Sequence, residues 1–252
     1  MRLTNLTVFL FTTCVLGQGW ASAEDYAGFA ALPEPEKDQI VWQLHEPGHK
    51  WGLPEQKPIC RDLLVTQGYS SFANNATAWT TDAIDLAETR GWKDLSPLIT
   101  KIYERPINIW VLKRAFCYIR NQSGKPVSTN VLADAETLRA AGKCRIGNDR
   151  QLQFSVSDEQ LSAAKERLLL NPDKEAVLVC TLEIAGWNAG KSATDRGRKA
   201  AADVLKSLDP NTVIQRINQL RQDANASTKD LLREECDWIF HYLGISLASG
   251  KQ

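Results

Sequence analysis

Ser157–Ala185 reads SDEQLSAAKERLLLNPDKEAVLVCTLEIA. Ser157 followed three residues later by Gln160 is a capping box, in which each side chain satisfies a backbone N–H that the first helical turn leaves without a partner. Leu161, Ala164 and Leu168 then recur at helical spacing, which predicts an apolar stripe on one face. Asn171-Pro172 ends that helix, and Asp173 to Ala185 follows as a second, nearly all-apolar element. Its core, Ala176–Ile184, is short enough that periodicity alone admits either a buried helix or a buried strand.

The same alternation of apolar helix and Pro- or Asn-containing turn extends in both directions. Upstream, Trp92, Leu95, Leu98, Ile99 and Ile102 precede Pro106, and Ile109, Leu112, Phe116 and Ile119 follow it. Ala133–Ala141 reads as a helix closed by Gly142, and Gln151–Val156 as a short strand. Downstream, Gly190–Leu208 carries Ala200, Ala201, Val204 and Leu205. Asp209-Pro210 opens a helix with Val213, Ile217 and Leu220, and Thr228–Leu243 runs to Gly244. The fold class expected is all-α, with antiparallel pairs 92–104 with 107–120, 158–170 with 173–185, and 211–222 with 228–243.

Glu88-Thr89-Arg90-Gly91-Trp92 is echoed by Glu183-Ile184-Ala185-Gly186-Trp187, each closing an apolar helix. With these paired helices the chain resembles HEAT-like helical-hairpin repeats over about 80–245. The resemblance implies an irregular α-solenoid or bundle presenting a wide helical surface to a partner.

The N-terminal part has a different texture. Arg2, the apolar residues from Leu6 to Leu16, and Ala21-Ser22-Ala23 follow the order of a secretory signal. The apolar run is about a dozen residues, short of the roughly twenty that span a bilayer. The expected organisation is a signal peptide at 1–23, a Pro-rich irregular arm at 24–78, the helical domain at 79–245 and a flexible tail at 246–252. Pro33, Pro35, Pro47, Pro54 and Pro58 break up the arm, leaving one short helix at Glu36–Leu44. The location implied is periplasmic or secreted, with no membrane insertion after cleavage.

Thirty basic residues balance thirty acidic ones, which argues against a general nucleic-acid or membrane-surface binder. Five cysteines follow the signal, at 60, 117, 144, 180 and 236, with no Cys-x-x-Cys pair. Two disulfides and a leftover thiol, or buried helical thiols, both fit that pattern.

One string has the form of a catalytic motif. His45-Glu46-Pro47-Gly48-His49 matches H-E-x-x-H, in which two histidines a helical turn apart bind zinc and the glutamate activates water. On that reading His45 and His49 are ligands and Glu46 the base, and Glu55 or Glu88 would have to supply a third ligand. Pro47 between the ligands opposes the helix the motif needs. Little chain precedes the motif once the signal is removed, and no methionine follows Met1 to form the turn that metzincins place under the metal.

Gly186-Trp187-Asn188-Ala189-Gly190-Lys191-Ser192 is one residue short of a phosphate-binding loop and reads as a turn entering a helix. Lys191, Arg196, Arg198 and Lys199 form a basic run whose default is a solvated helix face. Of the tryptophans, Trp110 is expected in the core and Trp51 exposed. His241, between Phe240 and Tyr242, reads as an ordinary helical histidine.

The expectation is an exported helical protein that binds another protein without a cofactor. The alternatives are a zinc-dependent hydrolase at His45-Glu46-x-x-His49 and a glycan- or cell-wall-binding module built on exposed aromatics.

Overall fold

A computed structural model describes residues 28–46, 48, 50–68, 73–146, 151–186, 195–223 and 229–246. The expected signal peptide therefore lies outside the described residues, as does all of the tail except Ser246. The described chain is all-α apart from one small hairpin. Its helices are α1 (Glu34–His45), α2 (Lys57–Thr66), α3 (Ala73–Thr89), α4 (Ser96–Glu104), α5 (Ile109–Gln122), α6 (Thr129–Ala141), α7 (Asp158–Leu170), α8 (Lys174–Gly186), α9 (Arg196–Ser207), α10 (Pro210–Asp223) and α11 (Lys229–Leu243). Strands β1 (Cys144–Ile146) and β2 (Leu152–Phe154) pair antiparallel, Cys144 opposite Phe154.

Local chemistry accounts for most helix starts. Ser157 and Gln160 form the expected capping box on α7, with bonds of 3.2 and 2.9 Å. Asp209 accepts from the backbone N–H of Thr212 at 2.8 Å ahead of α10. α5 begins at Ile109 rather than at 107, because Asn108 is its N-cap and accepts from the N–H of Val111 at 2.8 Å.

The irregular arm at 24–78 requires correction. Pro35 and Pro58 sit in the first turns of α1 and α2, where a missing N–H costs nothing, so they start helices rather than interrupt them. α3 also runs across the expected boundary between arm and helical domain. A buried ion pair, Lys37 with Asp62 at 3.0 Å, joins α1 to α2.

Two apolar clusters form the interior. The first gathers Phe29, Val41, Ile59, Leu63, Trp79, Ile84, Ile99 and their neighbours from the N-terminal helices. The second gathers residues of α5 through α11. α5 faces both, giving Val111, Ala115 and Tyr118 to one and Ile109, Leu112 and Phe116 to the other.

The expected partners α4 with α5 and α10 with α11 do pack together. α7 and α8 do not form a principal pair: α7 packs on α6 and α9, while α8 packs on α9, α11, α5 and α6. α8 is buried along its whole apolar length, from Ala176 to Gly186. That enclosure explains why its sequence has no polar face, and the helical backbone of Lys174–Gly186 resolves the helix-or-strand ambiguity.

Candidate functional site

His45 closes α1. Its Nδ1–H donates to the carbonyl of Val41 at 2.8 Å, and its Nε2–H donates to the Asp82 carboxylate on α3 at 2.7 Å. Both partners are acceptors, an arrangement that favours the doubly protonated, cationic ring. The hydrogen bond to Asp82 raises the pKa of His45, with burial opposing it. Trp51 and Trp79 lie 5.5 and 6.4 Å from the imidazole by ring centroid, and Trp42 meets Trp79 edge-on at 6.0 Å.

Among the described residues, α1 does not continue into the helix that the zinc motif requires. α1 stops at His45, and Glu46 follows in extended conformation with φ −67° and ψ 146°. His49 and Pro47 lie outside the described residues. Glu88, one of the possible third ligands, is bonded to Arg114 and Asn121. No group of three or more His, Cys, Asp or Glu that could hold a metal occurs among the described residues.

A second site lies on the outer face of α11. Arg233, Asp237 and His241 recur at successive helical turns, with Glu234 and Trp238 beside them and Arg221 facing from α10. Together they line an open groove of about 570 Å³. Arg221 is committed to Asp237 at 2.9 Å. Among the described residues, the Nε of Arg233 is buried and has no hydrogen-bond partner.

Trp238, one of the lining residues, packs against a buried cation. The Arg198 guanidinium lies 5.6 Å from the Trp238 ring and 5.3 Å from the Tyr242 ring, while pairing with Asp195 at 3.2 Å. The Tyr242 hydroxyl donates to Asp195 at 2.6 Å. This bond holds the Asp195 carboxyl below the usual carboxylate range, and burial first, then this bond, pushes the Tyr242 phenol up to about 12. Trp238 and His241 meet edge-on at 5.7 Å.

The other sequence candidates have local explanations. Arg196 bonds Asp158 and the Val156 carbonyl and covers the Phe154 ring at 4.3 Å. Arg198 is buried, so two members of the basic run are structural, while Lys199 is exposed and Lys191 lies outside the described residues. Gly186 ends α8, and the rest of the loop-like string, 187–192, also lies outside them.

Trp110 departs from the expected core position. It is 39% exposed and covered by Arg139, 5.1 Å from its ring, while Trp42 is the most exposed tryptophan described, at 51%. Trp51, expected to be exposed, is instead half-buried.

The groove was not anticipated from sequence. Its signal was present in the spacing of Arg233, Asp237 and His241, but Arg221 comes from α10 and only the fold brings it there. No family model, curated protein or solved structure matches this chain.

Proposed function

We propose that this is an exported helical protein that binds another protein through the α11 groove. The observation that carries the reading is Arg233: an arginine with a buried, unpartnered Nε among the described residues, lining the same open groove as Trp238. Arginine and tryptophan dominate binding energy where they meet a partner in a sheltered pocket. The combination suits a partner segment that places a carboxylate next to an apolar side chain. The paired helices α4/α5 and α10/α11 are compatible with a HEAT-like arrangement, which would present such a face on a rigid support.

The test begins with secretion of a tagged chain and recovery of partners by cross-linking in the native compartment. Trp238→Ala and Arg233→Ala should each weaken a recovered partner roughly 10- to 100-fold, with Lys199→Ala as an unaffected control. Full affinity in the Trp238→Ala/Arg233→Ala double variant would overturn the reading.

A glycan-binding reading is favoured by one observation, the exposed Trp42 ring beside Trp79. Fluorescence titration with cell-wall oligosaccharides, using Trp42→Ala as comparison, tests it. A shift at millimolar sugar that Trp42→Ala abolishes would support it, and no shift would exclude it. The zinc-hydrolase reading has the doubly bonded His45 ring against it. Stoichiometric zinc in the purified chain, lost in both His45→Ala and His49→Ala, would restore it.

A further inference from the structure

Helices α5 and α8 run antiparallel, and their ion pairs fix the register. Lys113 on α5 meets Glu183 on α8 at 2.5 Å. Further along α5, Arg120 meets Asp173, just before α8, and Glu175 in its first turn. Moving from Lys113 to Arg120 along α5 therefore means moving from Glu183 back to Glu175 along α8.

Cys117 stands between those anchors, four residues after Lys113 and three before Arg120, on the same stripe of α5. Cys180 stands three residues before Glu183, on the matching stripe of α8. The two thiols belong to one apolar contact region, Cys180 fully buried and Cys117 partly buried against it. Burial pushes the Cys180 thiol up to about 12, and Cys117 is among the neighbours acting on it.

The remaining cysteines are placed elsewhere. Gly186 of α8 meets the backbone of Glu235 and the side chain of Ile239, so Cys236 lies level with Gly186. That is six residues, about 9 Å, along α8 from Cys180. Cys60 belongs to the N-terminal cluster and Cys144 to β1.

We infer that Cys117 and Cys180, which the α5–α8 register sets within about two residues of level, form a disulfide stapling the two helices when the chain meets a small-molecule disulfide oxidant. Both are free thiols in this structure. Cys117 is the accessible partner, so its thiolate attacks one sulfur of the oxidant and expels the first thiol, forming a mixed disulfide. The Cys180 thiolate then attacks the Cys117 sulfur and expels the second thiol. Two electrons and two protons pass from the cysteines to the oxidant, which leaves as two reduced thiols.

Burial raises both thiol pKa values, so formation is slow at neutral pH and faster in mild alkali. The bond would close a loop of about sixty residues, which restricts the unfolded chain strongly. Since the oxidant is supplied in the test, the inference stands whether or not the chain is exported.

The test treats the folded full chain with oxidised glutathione, blocks remaining thiols and maps peptides without reduction. The expected result is a Cys117–Cys180 linked peptide and a melting midpoint raised on the order of 10 °C over the reduced form. That rise should be retained in Cys144→Ser and lost in Cys117→Ser. Finding Cys117 and Cys180 both alkylated, or either linked to a different cysteine, would overturn the inference. The peptide map of the unaltered chain decides this even where Cys117→Ser fails to fold.

Discussion

Gln67 takes φ 50°, the only positive φ of a non-glycine residue among those described, and it does so at the end of α2. Its side chain donates to the carbonyl of Arg105 at 2.6 Å and accepts from the N–H of Ile107 at 2.9 Å, so one residue ends a helix and holds the α4–α5 turn. Gly68 follows at φ 76°, and a Cβ there would lie 2.4 Å from the Ala76 Cα. Gly68→Ala therefore combines a disfavoured backbone with a backbone clash, and should lower unfolding free energy by roughly 2–4 kcal/mol in denaturant titration.

His45 makes the second prediction at this scale. Its folded pKa is raised above 6.5, so the folded state holds the proton more tightly than the unfolded state. The His45–Asp82 contribution is fully present below about pH 6.5 and is lost as pH rises through the higher folded value. Melting curves of the natural chain and His45→Gln should differ most in mild acid and converge in alkali. A gap that widens with pH would contradict the raised folded pKa. His45 was visible in the sequence as part of a motif, but its use was not, because Asp82 comes from a distant helix.

At the scale of elements, legibility followed how local the deciding interaction is. α7 could be read because its cap, stripe and stop all lie within its own residues. α2 could not, because Pro58 has opposite meanings inside a helix and at its first turn, and only the surrounding cluster decides which applies. α8 carried no period because neighbours surround it. Its pairing with α7 was misjudged because a short connection makes two helices neighbours in sequence without making them the best apolar match.

Glu235 shows coupling between elements. It sits on α11, is largely buried, and accepts from the N–H of Ile109 at the start of α5 at 2.9 Å. Burial pushes its carboxyl up to about 8 despite that bond. The unfolded carboxyl ionises near 4.5 while the folded one stays protonated, so stability falls as pH rises through that window and levels off above about 8. Glu235→Gln keeps an acceptor for Ile109 and cannot ionise. It should be more stable than the natural chain by on the order of a few kcal/mol at neutral pH, and the gain should vanish near pH 4. Thermal melts at both pH values check this, and an equal effect at each would contradict it.

At the scale of the molecule, the two apolar clusters share α5 as a common wall. Loosening either cluster removes support from the helix the other needs, so the described chain should unfold in one transition. Leu63→Ala in the first cluster and Leu182→Ala in the second should each cost about 2–5 kcal/mol. Both should shift the same calorimetric peak, and two separate peaks would show that the clusters act independently. The all-α class was legible at this scale because most stripes repeat at helical steps. The α11 groove was not, because its residues come from both α10 and α11.

The full enclosure of α8 has a further consequence, for how the protein opens. The amide hydrogens from Val177 to Ile184 can trade for deuterium only when α5, α6, α9 and α11 part from it. Deuterium uptake in that segment therefore times the opening of the C-terminal half of the chain. Helices with a wet face, such as α10, should take up label through smaller and earlier fluctuations.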